Sequence, residues 1–198
     1  KIVIANNRVR NGEWKPAIGV DVCFKTLGIF GFGAIAKNVA RRANGFGMKV
    51  LAYDPYVKEV PEEFKSFVTL CSIDEIIKNA DIISMHLPLT DETRDMISAK
   101  EMAAMKEGAY IINTARGGIV NEHDLYEAVK SGHIAGAALD VSEQEPMAED
   151  NPLRTLENVI ITPHIGMYSK EAIGAVSLIC AQNAAAKIEG KELQFQVV

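Results

Sequence analysis

Seven short apolar runs, several of them nearly unbroken by polar residues, recur along this chain, with longer segments of helical spacing between them. They are Thr26 to Phe30, Met48 to Tyr53, Phe67 to Leu70, Asp81 to Leu87, Ala109 to Asn113, Ile134 to Leu139 and Asn158 to Thr162. A strand with one wet face alternates apolar and polar residues, whereas a run that is apolar throughout must be covered on both faces. Helical crossovers supply that cover in a parallel sheet. The pattern therefore predicts an α/β fold, a doubly wound parallel sheet with helices on both faces.

The intervening segments carry helix signals. Gly33 to Phe46 places Ile35, Val39 and Ala43 on one face. Ser72 with Glu75, and Ser98 with Glu101 ahead of Met102 and Met105, have the spacing of capping boxes. Asn121 to Ser131 carries Leu125, Ala128 and Val129 on one side, with Gly132 just past its end. Residues 1–16 read as the tail of a helix followed by a loop through Gly12 and Trp14, and residues 169–189 as an Ala-rich helix ending at Gly190. These two ends either cover the sheet or pack on another domain or subunit.

A net charge of −5, with 48% apolar and 24% charged residues over 198 positions, suits a soluble domain with a real core. The acidic balance argues against nucleic acid or an anionic membrane as the main partner. No apolar run approaches the ~18 residues of a membrane span, and residues 1–10 lack the apolar stretch of a signal peptide. Cys23, Cys71 and Cys180 are isolated and odd in number, which predicts neither a disulfide framework nor a metal site, and a reducing cytoplasm.

Gly31-Phe-Gly33-Ala34-Ile35-Ala36 follows the first run and opens the first helix, fitting the G-x-G-x-x-G/A dinucleotide turn of Rossmann-type folds. Gly31 permits a tight turn, Gly33 lets backbone approach a pyrophosphate, and a small residue at 36 lets helix and strand pack. The free N–H groups of the helix start then face the anion. The second run ends at Asp54, 21 residues beyond Gly33 (54 − 33), where an acid accepts hydrogen bonds from a ribose diol. Asp54 would repel a 2′-phosphate, so the expected cofactor is NAD over NADP.

Ligands of an open α/β sheet bind beyond the carboxyl ends of its strands. Three runs are followed there by polar residues: Thr114-Ala-Arg116, then Asp140 to Glu145-Pro146, then Pro163-His164. An arginine can hold a carboxylate bidentately. A histidine titrates near neutrality and can move a hydroxyl proton. A nearby carboxylate orients the imidazole and favours its charged form. With a nicotinamide to carry hydride, these groups describe oxidation of an alcohol next to a carboxylate, or its reverse. His86, inside a run ending at Pro88, reads as structural, and His123 and His133, near helix ends, as solvated.

Leu27-Gly-Ile-Phe-Gly-Phe-Gly33, His86-Leu-Pro-Leu-Thr90, Ile111-Ile-Asn-Thr-Ala-Arg-Gly-Gly118, Ala138-Leu-Asp-Val141, Glu145-Pro146 and Thr162-Pro-His-Ile-Gly166 occur in this order. On these motifs the chain resembles the nucleotide-binding domain of the D-isomer-specific 2-hydroxyacid dehydrogenases, above all the branch that contains the D-3-phosphoglycerate dehydrogenases. The resemblance implies that Arg116 binds substrate, that His164 is the acid/base and that Glu145 is its paired carboxylate. It places Asp140 near the nicotinamide carboxamide. It sets Leu87, Pro88, Thr114 and Ala115 along the cofactor cleft, together with Gly31, Gly33, Ala34, Ile35, Asp54, Arg116, His164 and Gly166.

The sequence departs from the family at Ala34, where a basic residue usually faces the pyrophosphate, at Ala36, usually glycine, and at Ser142, usually aromatic. These changes predict modest cofactor affinity. The resemblance further implies one dinucleotide-binding domain over residues 1–198, its Rossmann core at about 26–166, flanked by helices within 1–16 and 169–189. The family's substrate domain is largely absent, so the chain alone is expected to bind NAD and turn over poorly. The expected substrate is 3-phosphoglycerate. The alternatives are lactate, glyoxylate or hydroxypyruvate reduction, or a non-catalytic dinucleotide-sensing protein similar to the family's corepressors. A homodimer through the nucleotide domain is implied as well.

Overall fold

The computed structural model describes residues 1–195, which divide into two compact units, one from Lys1 to His164 and one from Ile165 onward. The first unit holds all seven expected strands: β1 (Thr26–Phe30), β2 (Lys49–Tyr53), β3 (Val68–Leu70), β4 (Ile82–Met85), β5 (Ala109–Asn113), β6 (Ile134–Leu139) and β7 (Val159–Ile161). They form one sheet in the order β3-β2-β1-β4-β5-β6-β7, and every pairing is parallel. The strand order reverses direction between β1 and β4, the kind of switch point where such sheets open a crevice.

Successive strand residues point to opposite faces, and both faces are covered over the central strands, whereas the edge strand β7 leaves Ile160 exposed, contrary to the expectation from its apolar run. Phe30, Ile83, Met85 and Ile111 join one core with Ile76 and Ile77 of α3 (Ile73–Asn79), Met102 of α4 (Ala99–Ala104) and Leu125 and Val129 of α5 (Glu122–Lys130). Ile29, Val50 and Ala52 join the other, with Ala36, Ala40 and Ala43 of α2 (Ala34–Gly45) and with Phe64. The i, i+4, i+7 alanine stripe brings α2 close to the sheet. It also corrects the sequence expectation for this helix. Ile35 is 71% exposed and Ala36 is fully buried, because the strip that fits against the strands is the small-residue one, not the one with the largest side chain.

The capping signals are realised. Ser72 N–H donates to Glu75 Oε2 at 2.9 Å and Glu75 N–H to Ser72 Oγ at 3.3 Å. The Glu101 carboxylate accepts from Ser98 Oγ at 2.6 Å. Gly132 follows α5 with φ +85°, as expected of a glycine after a helix end. At the amino-terminal rim of the sheet, Asp81 ties three strands together. Its Oδ2 accepts from Thr26 N–H at 2.8 Å, its Oδ1 from Lys106 Nζ at 3.1 Å, and its carbonyl from Tyr110 N–H at 3.0 Å.

Helix α1 (Ile2–Arg10) precedes an irregular arm in which Trp14, Ile18 and Phe24 are all more than 80% exposed. The second unit contains α6 (Lys170–Ile188), capped by Ser169 Oγ, which accepts from Ala172 N–H at 3.0 Å. No helix among the described residues is long and apolar enough to cross a membrane.

Candidate active site

Because all strands run the same way, the loops after β1, β2, β4, β5, β6 and β7 leave from one rim. Gly31 adopts φ +88°, and a Cβ there would stand 2.7 Å from the His86 carbonyl oxygen, so the turn passes too close to the end of β4 for any side chain. Phe32 N–H donates to Asp54 Oδ2 at 2.7 Å, and Tyr56 N–H to Oδ1 at 2.8 Å. Asp54 thus organises the turn it was expected to serve. A carboxylate offers about four acceptor positions, so ribose hydroxyls can still bind to it.

Gly33 is the N-cap of α2, without a side-chain cap, and a Cβ added to it would meet nothing within 4 Å. No packing within the chain demands a glycine there. Open space in front of the first-turn N–H groups of Ala34 and Ile35, both exposed, is what a bound anion requires. The residues present therefore fit a dinucleotide pyrophosphate.

After β5, the buried Asn113 shapes the next loop: its Nδ2 donates to the Arg116 carbonyl at 2.9 Å and its Oδ1 accepts from Ala115 N–H at 3.1 Å. Sequence reasoning treated Asn113 only as a strand end. A polar residue closing an apolar run was the available signal. Thr114 and Arg116 are exposed and Ala115 is half-buried, and Arg116 Nη1 donates to the Ala115 carbonyl at 2.7 Å. Beyond β4, Leu87 is half-buried, and the Pro88 carbonyl accepts from Thr93 Oγ1 at 2.7 Å.

The loops after β6 and β7 meet. Thr162 Oγ1 donates to Oδ1 of the buried Asp140. His164 Nδ1 lies 2.8 Å from Glu145 Oε2, with both side chains partly exposed. His164 holds the Glu145 carboxyl below its usual range, as does Ser142 N–H at 3.2 Å, against slight burial and the charge of Asp140. With Nδ1 engaged, Nε2 is the nitrogen left to face a reactant. His164 adopts φ +53°, a left-handed conformation that histidine tolerates better than most side chains.

A cavity of about 830 Å³ is bounded by Asp140, Ser142, Glu145, Thr162 and His164, with Val159 and Ile161 as apolar wall. Arg116, Gly31 and Asp54 share the rim but are not among its walls. Gly166 falls in the second unit.

The other histidines differ from one another. His123 is exposed, as expected, but the half-buried His133 places Nε2 3.0 Å from the Met102 carbonyl, so it joins α4 to the loop before β6 rather than being merely solvated. His86 Nε2 lies 3.0 Å from Ser84 Oγ, and burial pulls its imidazole down to about 4 from 6.5. Between those two values the unfolded chain takes up a proton that the folded chain refuses. Stability is therefore full above pH 6.5 and falls as pH drops towards 4. His86→Asn is expected to remove about 2 kcal/mol of that acid-side loss. Urea unfolding at pH 7 and pH 4.5 checks it, and an unchanged difference between the two would contradict it.

The family described as D-isomer specific 2-hydroxyacid dehydrogenase, NAD binding domain, matches residues 1–166. The chain is 44% identical to the D-3-phosphoglycerate dehydrogenase of Methanocaldococcus jannaschii over 98% of its own length and 37% of that protein's. It is 42% identical to the glyoxylate reductase of Korarchaeum cryptofilum over 96% of its length and 59% of that protein's. The chain thus spans between about a third and three fifths of these curated relatives. The crystal structure of D-lactate dehydrogenase with NAD+ from Lactobacillus jensenii superposes with a TM-score of 0.86 at 32% identity, covering 100% of this chain and 63% of that one. The parallel seven-stranded sheet, the glycine turn and the family match together identify the chain as a member of the D-isomer specific 2-hydroxyacid dehydrogenases, carrying their NAD-binding domain.

Proposed function

We propose that this chain is the cofactor-binding part of an oxidoreductase that moves a hydride between NAD and a D-2-hydroxy acid. The observation that carries the reading is the 2.8 Å contact between His164 Nδ1 and Glu145 Oε2, both on the wall of the cavity. In the oxidative direction the substrate hydroxyl proton passes to His164 Nε2 as the C2 hydride leaves, and a carbonyl forms. NAD, when bound, accepts that hydride. Glu145 stabilises the imidazolium, and Arg116 holds the substrate carboxylate. Gly31, Gly33, Ala34 and Ile35 cradle the pyrophosphate by backbone, and Asp54 receives the ribose. Leu87, Pro88, Thr114, Ala115 and Asp140 line the remainder of the cofactor's path.

Our first reading of the substrate is 3-phosphoglycerate, supported by the Methanocaldococcus relative. The similar identity of a glyoxylate reductase supports a smaller 2-oxo acid as the second reading. We propose that residues 1–198 form one dinucleotide-binding domain, completed by a substrate domain like those of its longer relatives. The exposed apolar arm around Trp14 and Ile18 supports a homodimer, and the free cysteines Cys23, Cys71 and Cys180 support a reducing compartment such as the cytoplasm.

Titration with NADH and, separately, NADPH, followed by nicotinamide fluorescence, tests the cofactor site. Saturable NADH binding is expected, with NADPH weaker by about tenfold or more, because Asp54 would face the 2′-phosphate across a short distance. Equal affinities, or no binding of either, would remove Asp54 and the glycine turn from the reading. Turnover assays with D-3-phosphoglycerate, D-glycerate and D-lactate then separate the substrates.

A further inference from the structure

Glu122 opens α5, where an acid is ordinarily explained by the helix dipole. Its carboxylate has other partners here. Oε1 accepts from Ser142 Oγ and from Glu143 N–H, each at 2.7 Å, and Oε2 accepts from Asn151 Nδ2 at 2.7 Å. Glu122 N–H in turn donates to the Glu143 carboxylate at 2.9 Å. One side chain therefore joins the start of α5, the loop after β6 and the turn at Asn151.

Ser142 lies between this clamp and the reacting pair. It is 8% exposed, and its N–H donates to Glu145 Oε1 at 3.2 Å while Glu145 Oε2 meets His164. A continuous hydrogen-bonded path runs from Glu122 through Ser142 and Glu145 to His164. An apolar side chain at position 142 would leave Oε1 of Glu122 with only the Glu143 N–H. The Ser142 hydroxyl is thus matched by a partner 20 residues away in sequence (142 − 122).

We propose that Glu122 and Ser142 are positioning residues. They fix the loop after β6 so that Glu145 gives one oxygen to the Ser142 N–H and the other to His164. The inference rests on the acid/base reading of His164 and Glu145. The charged groups facing Glu145 are His164 and Asp140, with Arg154 on the wall of the same cavity.

The test follows the Glu145 carboxyl by carbon NMR in the full chain across an acid titration, alongside kcat and NADH affinity. Ser142→Ala is expected to raise the Glu145 midpoint towards that of an ordinary glutamate. It should lower kcat about tenfold through misalignment and leave NADH affinity in place. Ser142→Thr, which keeps the hydroxyl, should restore both quantities. Glu122→Gln should act in the same direction as Ser142→Ala, and if it does not fold, the Ser142 pair decides. An unmoved midpoint in Ser142→Ala overturns the proposal, as does a Thr variant that fails to restore it. Because the chain alone is expected to turn over poorly, kcat is read in the longer protein that carries the substrate domain; if that protein oxidises no 2-hydroxy acid, the acid/base reading fails by itself, and the carboxyl titration still decides whether Ser142 and Glu122 position Glu145.

Discussion

Replacing His164 by alanine in the longer protein that carries the substrate domain is expected to lower kcat by about two to four orders of magnitude, the range general acid–base groups contribute, while NADH binding persists. Alanine has no atom to take the hydroxyl proton. It also leaves Glu145 facing a gap where Nδ1 stood at 2.8 Å. The substitution alters the backbone too, because position 164 sits at φ +53° and alanine resists that region. His164→Asn separates the two effects, since asparagine tolerates a left-handed conformation and has no imidazole. Steady-state kinetics with parallel fluorescence titration of NADH makes the measurement. An Asn variant that keeps a substantial fraction of kcat would remove His164 from the chemistry.

Gly117→Ala is expected to have the largest effect on the fold. A Cβ at that position would stand 1.9 Å from the Ser142 carbonyl oxygen and 2.2 Å from its carbon. Both are backbone atoms, and Ser142 is itself held by Glu122, so neither side of the contact can yield cheaply. Overpacking on this scale costs about 3 kcal/mol or more. In a chain of this size that lowers Tm by about 10 °C. Turnover should suffer beyond the loss of stability, because the clash drives the Arg116 loop away from the loop that carries Glu145. Thermal unfolding by circular dichroism, followed by assay well below the new Tm, reads the two effects separately. A Tm within about 2 °C of the parent would mean that the two loops are not in backbone contact.

The strands were legible because burial on both faces leaves no alternation to misread: Ile29, Ile83 and Ile111 are fully buried wherever they point. Helix faces were less so. In α2 the spacing of Ile35, Val39 and Ala43 suggested the core side, but the close approach to the sheet selects Ala36, Ala40 and Ala43. The glycine turn and the three polar strand ends were readable from the rule that parallel strands deliver their loops to one rim. The supports of those ends were not. Asn113, Glu122 and Ser142 act through partners whose proximity only the folded loops create, and Glu122 sits where a helix dipole already accounts for an acid. His133 shows the same limit, since its partner is the Met102 carbonyl, 31 residues away in the chain.

The tie made by Asp81 has a further consequence. It fastens β1, β4 and β5 at their starts, whereas every residue assigned here to chemistry or cofactor in the first unit follows a strand's end. The strand bodies separate the two sets by several residues of buried aliphatic chain, so substitutions on one side have little mechanical leverage on the other. Such an arrangement lets a lineage change an exposed rim position such as Ala34 without reopening the question of whether the chain folds, whereas Gly117 and Ser142, which hold two of the loops together, carry no such freedom. Substrate diversity among its relatives, phosphoglycerate dehydrogenases and glyoxylate reductases included, is the outcome to be expected of a scaffold whose exposed loop positions can vary while the strand starts stay fastened.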